Sequence, residues 1–87
     1  MEIIYSPKAI EDRAFWKKSG NKSIQKKISE LLDDIELHPF TGIGQPEALK
    51  HELSGKWSRR INKEHRLVYE IDEINDYVFI HSLKGHY

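Results

Sequence analysis

Residues 57–71 read WSRRINKEHRLVYEI and contain the pattern that decides the fold. Apolar or bulky side chains alternate with small or charged ones on both sides of the polar segment Asn62-Lys63-Glu64. Because successive side chains on a strand point to opposite faces, this alternation predicts two strands joined by a turn. A third alternating run, Val78 to Leu83, follows the polar segment from Asp72 to Asp76 and completes a predicted antiparallel meander.

Two helices are predicted before this meander. Ser6-Pro7 supplies an N-cap and a proline at the first helical position, which predicts a helix from Pro7 to about Lys18. The second helix is marked by apolar residues at spacings of four, three and four, and it ends before His38-Pro39. These apolar residues are Ile24, Ile28, Leu31 and Ile35.

The predicted fold class is α+β, with the two N-terminal helices packed on one face of a small antiparallel β-sheet. A short strand-like run at residues 2–5 precedes the helices, and residues 1–87 are expected to form one domain. Alternation places Leu67, Tyr69 and Ile71 toward the helices. Arg66 and Glu70 then face outward, together with Ser58 and Arg60 on the neighbouring strand. Trp16 and Trp57 are predicted to be core anchors.

Composition excludes several classes of function. The 87 residues contain no cysteine, which rules out a disulfide framework, a thiolate metal site and a cysteine nucleophile. The first residues lack the basic and apolar regions of a secretory signal, and no apolar segment is long enough to cross a bilayer. We therefore expect a cytoplasmic protein with no membrane partner.

The formal net charge is zero, but the charges are segregated along the chain. The segment from Lys50 to Arg66 contains six lysines and arginines and two acids, whereas Glu70 to Asp76 contains four acids and no base. This distribution predicts a local basic surface on a neutral protein. Lys50, Lys56, Arg59 and Arg60 are predicted to bind phosphates on it. The alternative, a solvated face that only keeps the protein soluble, stays open on charge alone.

Longer stretches resemble a known family. The run from Leu49 to Ile61, the segment Glu64 to Tyr69 and the ending Lys84 to Tyr87 are similar to the YoeB/Txe group in the RelE superfamily of toxin–antitoxin systems. Ile4 to Pro7 and Pro39 to Glu47 are similar too, so the resemblance covers essentially the whole chain. It implies a RelE-like, microbial RNase-like fold and a ribosome-dependent mRNA endonuclease that cuts in the decoding site. One feature departs from the superfamily: this chain has a formal net charge of zero, whereas many RelE-type relatives are strongly basic.

The resemblance also implies site residues. By position, the catalytic glutamate corresponds to Glu47, the phosphate-binding arginine to Arg66 and the catalytic histidine to His86. Further positions that bind substrate correspond to Lys50, His51, Arg60, Lys84 and Tyr87. Metal-free RNA cleavage needs a base, a cation at the phosphorane and an acid, and the three catalytic positions supply these types. No metal or cofactor is expected, because the remaining histidines lack a metal-ligand spacing.

The implied partners are the ribosome with its mRNA and a cognate antitoxin that is small, acidic, partly disordered and YefM-like; a homodimer is left open. Two other classes also stay open, a non-catalytic gyrase-directed toxin on the same scaffold and a DNA-binding or structural module. Individual residues have plainer interpretations as well. Glu47 could tether a loop, Arg66 could pair with Glu70, and His86 could belong to an unstructured tail.

Overall fold

The computed structural model describes residues 1–85. It contains two α-helices, a short 3-10 helix and five strands. In chain order these are β1 (Glu2–Tyr5), α1 (Pro7–Ser19), α2 (Lys22–Leu37), β2 (Glu47–Ala48), the 3-10 helix (His51–Leu53), β3 (Trp57–Arg60), β4 (Arg66–Asp72) and β5 (Tyr77–Ser82). The predicted α+β class is confirmed.

The five strands form one sheet in the order β1-β5-β4-β3-β2. The predicted antiparallel meander is present as β3, β4 and β5. The sheet as a whole is mixed, because β1 lies parallel to β5 with Ile3 opposite Val78. A parallel neighbour requires a long connection, and here both helices and the rest of the sheet separate β1 from β5 in the chain.

Local signals define both helices as expected. The Ser6 side chain accepts a hydrogen bond from the Ala9 amide at 3.0 Å, and α1 ends at Gly20 with a φ of 73°. The Asn21 side chain accepts from the Ile24 amide at 3.1 Å and so caps α2. Neither α1 (13 residues) nor α2 (16 residues) is long and apolar enough to cross a membrane.

The core lies between the helices and one face of the sheet. The predicted apolar face of α2 is buried, and Leu67, Tyr69 and Ile80 are fully buried opposite it. Burying each large aliphatic side chain stabilises the fold by about 1.5–3 kcal/mol. Trp16 belongs to this core, as predicted, and its indole N–H donates to the Leu83 carbonyl at 2.8 Å.

Arg59 is also buried in this core, and the prediction that it binds phosphates is wrong. Its side chain is 0% exposed, and its Nη1 lies 2.5 Å from Oδ2 of Asp34 on α2. The remaining N–H groups donate to the carbonyls of His38, Thr41 and Ile43 and to the Tyr69 hydroxyl. Alternation places Arg59 on the helix side of β3, where these acceptors satisfy its charge and all its donors.

The electrostatics of this cluster follow from the same contacts. The hydrogen bond from Arg59 holds the pKa of the Asp34 carboxyl below its ordinary value of 3.8. Burial raises the pKa of the Tyr69 phenol, which therefore stays protonated and donates to the Pro39 carbonyl at 2.8 Å. Residues 38–43 are thus held by side chains from β3 and β4.

Two glycines allow the loop that follows α2 to lie close to the side chains of α2. Gly42 and Gly44 have φ values of 112° and 81°, which side-chain-bearing residues rarely adopt. A Cβ on Gly42 would lie 2.0 Å from Asp34 Oδ2, and one on Gly44 would lie 2.6 Å from Leu31 Cδ2. The loop that leads to Glu47 is therefore packed directly on α2.

Candidate active site

The sheet face opposite the helices gathers several of the predicted site residues. Glu47 lies opposite Ser58 across β2 and β3, and Arg60 lies opposite Arg66 across β3 and β4. Paired residues, and residues two positions apart on one strand, share a face of the sheet. Glu47, Arg60 and Arg66 therefore share a face, and Arg59 lies on the other one. Ser58 is on the Glu47 face too but is fully buried there.

Glu47 is positioned by a two-residue strand that the sequence analysis did not predict. Beyond it, the Leu49 amide donates to the Lys56 carbonyl at 2.9 Å, and the Leu49 side chain is buried. The 3-10 helix follows immediately. A strand this short carries no periodicity of its own, so only its pairing with β3 defines it.

Glu47, Lys50 and His51 line one open cavity of about 330 Å³, together with Ala48, Leu49 and Leu53. All three polar side chains are exposed. A carboxylate, an ammonium and an imidazole therefore border the same concave surface at the β2 edge of the sheet. This arrangement suits an anionic ligand that also exchanges protons.

The backbone on each side of this cavity adopts an uncommon conformation. Gln45 and His51 have φ values of 53° and 58°, in the left-handed region that non-glycine residues seldom occupy. Such conformations occur preferentially at functional sites, where the surrounding structure holds them. The hydrogen bond from the Ser54 amide to the His51 carbonyl, at 3.1 Å, helps to fix this turn.

Arg66 begins β4 at the other side of the same face and is half-buried. Its backbone N–H donates to the Gly85 carbonyl at 3.1 Å, and the Gly85 N–H donates to Nδ1 of His65 at 2.9 Å. The last described residue is therefore fastened beside Arg66. The predicted site residues His86 and Tyr87 lie outside the described residues and stay predictions.

Arg60 and Lys84 lie at the margins of this surface. Arg60 lines a second cavity, of about 450 Å³, together with Lys27 and Lys63. The Lys84 ammonium lies 4.3 Å from the ring centroid of Phe15 on α1. Lys84 is thus brought to α1 rather than to the strand that carries Glu47, and its role toward substrate stays a prediction.

Two further observations concern the pairing of Arg66 with Glu70 and the question of a metal site. Glu70, considered as a partner for Arg66, has its carboxylate 3.0 Å from His81 Nε2. Within residues 1–85, no group of three or more histidine, aspartate and glutamate side chains is arranged to hold a metal ion. The groups that this face presents include the Glu47 carboxylate, the His51 imidazole and the cations Lys50, Arg60 and Arg66.

Comparison with known proteins shows the family to which the chain belongs. Residues 5–87 match the family model described as the YoeB-like toxin of bacterial type II toxin–antitoxin systems. Toxin YoeB of Escherichia coli strain K12 is 46% identical over 87 residues, which is 100% of both chains.

Two solved structures from Staphylococcus aureus are similar over 100% of this chain and 98% of theirs, both at 45% identity. One is a heterotetrameric YoeB–YefM toxin–antitoxin complex, with a TM-score of 0.88, and the other is a YoeB dimer, with a TM-score of 0.89. Both the sequence and the fold are therefore shared along the whole length, and the chain belongs to the YoeB-like toxins of bacterial type II toxin–antitoxin systems.

Proposed function

We propose that this toxin is a ribosome-dependent mRNA endonuclease that works without a metal and inhibits translation. The observation that carries the proposal is the shared face of Glu47 and Arg66, with Lys50 and His51 beside the glutamate and Gly85 hydrogen-bonded to the backbone of the arginine. Glu47, Arg66 and His86 are the proposed catalytic residues. Lys50, His51, Arg60, Lys84 and Tyr87 are proposed to bind the RNA.

In the proposed reaction, the Glu47 carboxylate accepts the proton of the 2′-hydroxyl. The 2′-oxygen attacks the phosphorus, and Arg66 stabilises the negative charge that develops on the phosphorane oxygens. The bond between phosphorus and the 5′-oxygen then breaks, and the His86 imidazolium protonates the leaving oxygen. The products are a 2′,3′-cyclic phosphate and a free 5′-hydroxyl.

The requirement for the ribosome is supported by the charge and shape of the face. The chain has a formal net charge of zero, and the cavity at Glu47 is open. A neutral protein attracts free RNA only through its local bases, so external positioning of the message contributes more to the rate. We place the activity in the cytoplasm, where translating ribosomes are found.

We also propose a small, acidic, partly disordered antitoxin as the partner that silences the enzyme. The S. aureus relative forms a complex with YefM, and it is also seen as a dimer. An acidic segment that folds on binding would cover Lys50, His51 and Arg60, all of which are exposed. Co-expression with the adjacent reading frame should yield a complex that does not cut mRNA, and homodimers of the free toxin can be measured by sedimentation.

The test is single-turnover cleavage of a defined message on programmed ribosomes, with the cut and its terminal phosphate mapped. Glu47→Ala, Arg66→Ala and His86→Ala should each lower the rate by roughly 10² to 10⁴-fold. Glu11→Ala, at an exposed position on α1, is the matched control and should leave the rate unchanged.

Near-wild-type rates in all three variants would overturn the assigned site. A wild-type protein that binds its antitoxin but never cuts RNA would instead favour the non-catalytic, gyrase-directed alternative.

A further inference from the structure

The segment Leu83 to Gly85, which leads to the chain end, is held by contacts from two other parts of the fold. On one side, α1 contacts the backbone of Leu83 through two side chains. On the other, the start of β4 and the residue before it contact the backbone of Gly85. These four hydrogen bonds fix the backbone at Leu83 and at Gly85 from both sides.

Asp12 supplies the first contact. It is only 6% exposed, and its Oδ2 accepts a hydrogen bond from the Leu83 amide at 2.9 Å. The Lys8 ammonium lies 2.8 Å and 3.1 Å from its two oxygens and balances its charge. Burying a carboxylate is costly unless it is paired in this way, and here the buried oxygen is used to hold one backbone amide near the chain end.

Trp16 and His65 supply the next contacts. The Trp16 indole donates to the Leu83 carbonyl at 2.8 Å, and its ring meets the His65 ring edge to face, with centroids 4.8 Å apart. Since a backbone N–H can only donate, the Gly85 amide requires that Nδ1 of His65 carries no proton. Gly85 itself has a φ of 87°, which suits glycine and few other residues.

We propose that Asp12, Trp16 and His65 are positioning residues, which fix the backbone of residues 83–85, the segment that leads into His86. This inference rests on the proposed function, in which His86 donates the proton. Ordering a flexible backbone costs conformational entropy, and a misplacement of about 1 Å can cost around 100-fold in rate. Holding the segment before substrate binds removes this loss from the reaction.

The experiment compares two substitutions of the half-buried His65. Asn places an amide oxygen close to the position of Nδ1 and keeps an acceptor for the Gly85 amide, whereas Leu removes the acceptor. His65→Leu should lower the single-turnover rate at saturating ribosomes by roughly 10 to 100-fold, and His65→Asn should stay within about threefold of wild type. The concentration of ribosomes that gives half the maximal rate should change little in either variant.

Hydrogen exchange measured by NMR reports on the same contact without any cleavage. The Gly85 amide should exchange faster in His65→Leu than in His65→Asn, while the amide of Val78, a fully buried residue of β5, keeps the wild-type rate in both. Faster Gly85 exchange without slower cleavage by His65→Leu, or equal loss of rate in both variants, would overturn the positioning role alone. A wild-type protein that does not cut RNA would overturn the proposed function, and the positioning role with it.

Discussion

Replacing Arg59 with lysine should destabilise the fold, although the substitution keeps the positive charge. The guanidinium makes five hydrogen bonds, to Asp34, to the Tyr69 hydroxyl and to three carbonyls of residues 38–43. An ammonium group has three N–H donors that diverge from one nitrogen. At least two of the five acceptors would therefore lose their partner.

The expected loss of folding stability follows from the number of acceptors that lose their hydrogen bond. A buried polar group left without a hydrogen bond costs about 1–3 kcal/mol, so two of them cost roughly 2–6 kcal/mol. We expect about 3 kcal/mol, because the loop carbonyls lie near the surface and water can reach part of them. In a domain of this size, about 1 kcal/mol corresponds to about 4–8 °C, so the melting temperature should fall by about 12–24 °C.

Urea unfolding followed by tryptophan fluorescence measures the change, and the adjacent arginine provides the control. Arg60 is exposed on the opposite face of β3, so Arg60→Lys should change the free energy of unfolding by less than about 0.5 kcal/mol. If Arg59→Lys and Arg60→Lys had the same unfolding midpoint as the wild type, the buried network would not be a source of stability, and our explanation of loop 38–43 would be refuted.

Three further predictions concern pH, salt and the chain end. Because Arg59 lowers the pKa of Asp34 below 3.8, the stability from this pair is complete above about pH 3.8 and is lost as the pH falls through the lowered value. Urea midpoints measured from about pH 6 to about pH 2 should therefore fall less steeply in Asp34→Asn than in wild type, and parallel curves would contradict this. Replacing Lys50 and Arg60 with glutamine should weaken binding to ribosomes. The slope of log affinity against log salt concentration should fall by about 1 for each phosphate contact that is lost. An unchanged slope would indicate that these side chains form only a solvated face. Deleting residues 86–87 should abolish cleavage on ribosomes with little change in melting temperature, and a tag after Tyr87 should reduce activity more than one before Met1. Wild-type cutting by the truncated protein would show that the tail has no catalytic role.

The elements predicted correctly are those that local signals specify. The cap at Ser6, the apolar spacing of α2 and the alternation through β3, β4 and β5 are each contained within a few residues. Helix periodicity and strand alternation differ so clearly that no knowledge of distant contacts is needed to tell them apart. The parallel placement of β1 and the two-residue strand at Glu47 were missed, because pairing with distant strands alone defines them.

For the candidate site, alternation correctly placed Arg60 and Arg66 on the outward face. Glu47 was identified from the family resemblance, because no local sequence pattern marks it as a site residue. Sequence reasoning missed the structural roles of Asp12 and His65, which contact backbone groups 71 and 20 residues away in the chain. No local pattern marks a side chain that satisfies a distant amide, since the same residue types are common on solvated surfaces.

The neighbouring residues Arg59 and Arg60 illustrate what the sequence determines by itself and what only the tertiary structure determines. From the sequence alone, alternation determined that these two identical side chains point to opposite faces of β3. Only the tertiary structure decided that Arg59 is buried in the interior, because Asp34 and the carbonyls of residues 38–43 come from elsewhere in the chain. A buried charge is stable only where the fold assembles enough acceptors around it, and that assembly is a property of distant residues brought together in space.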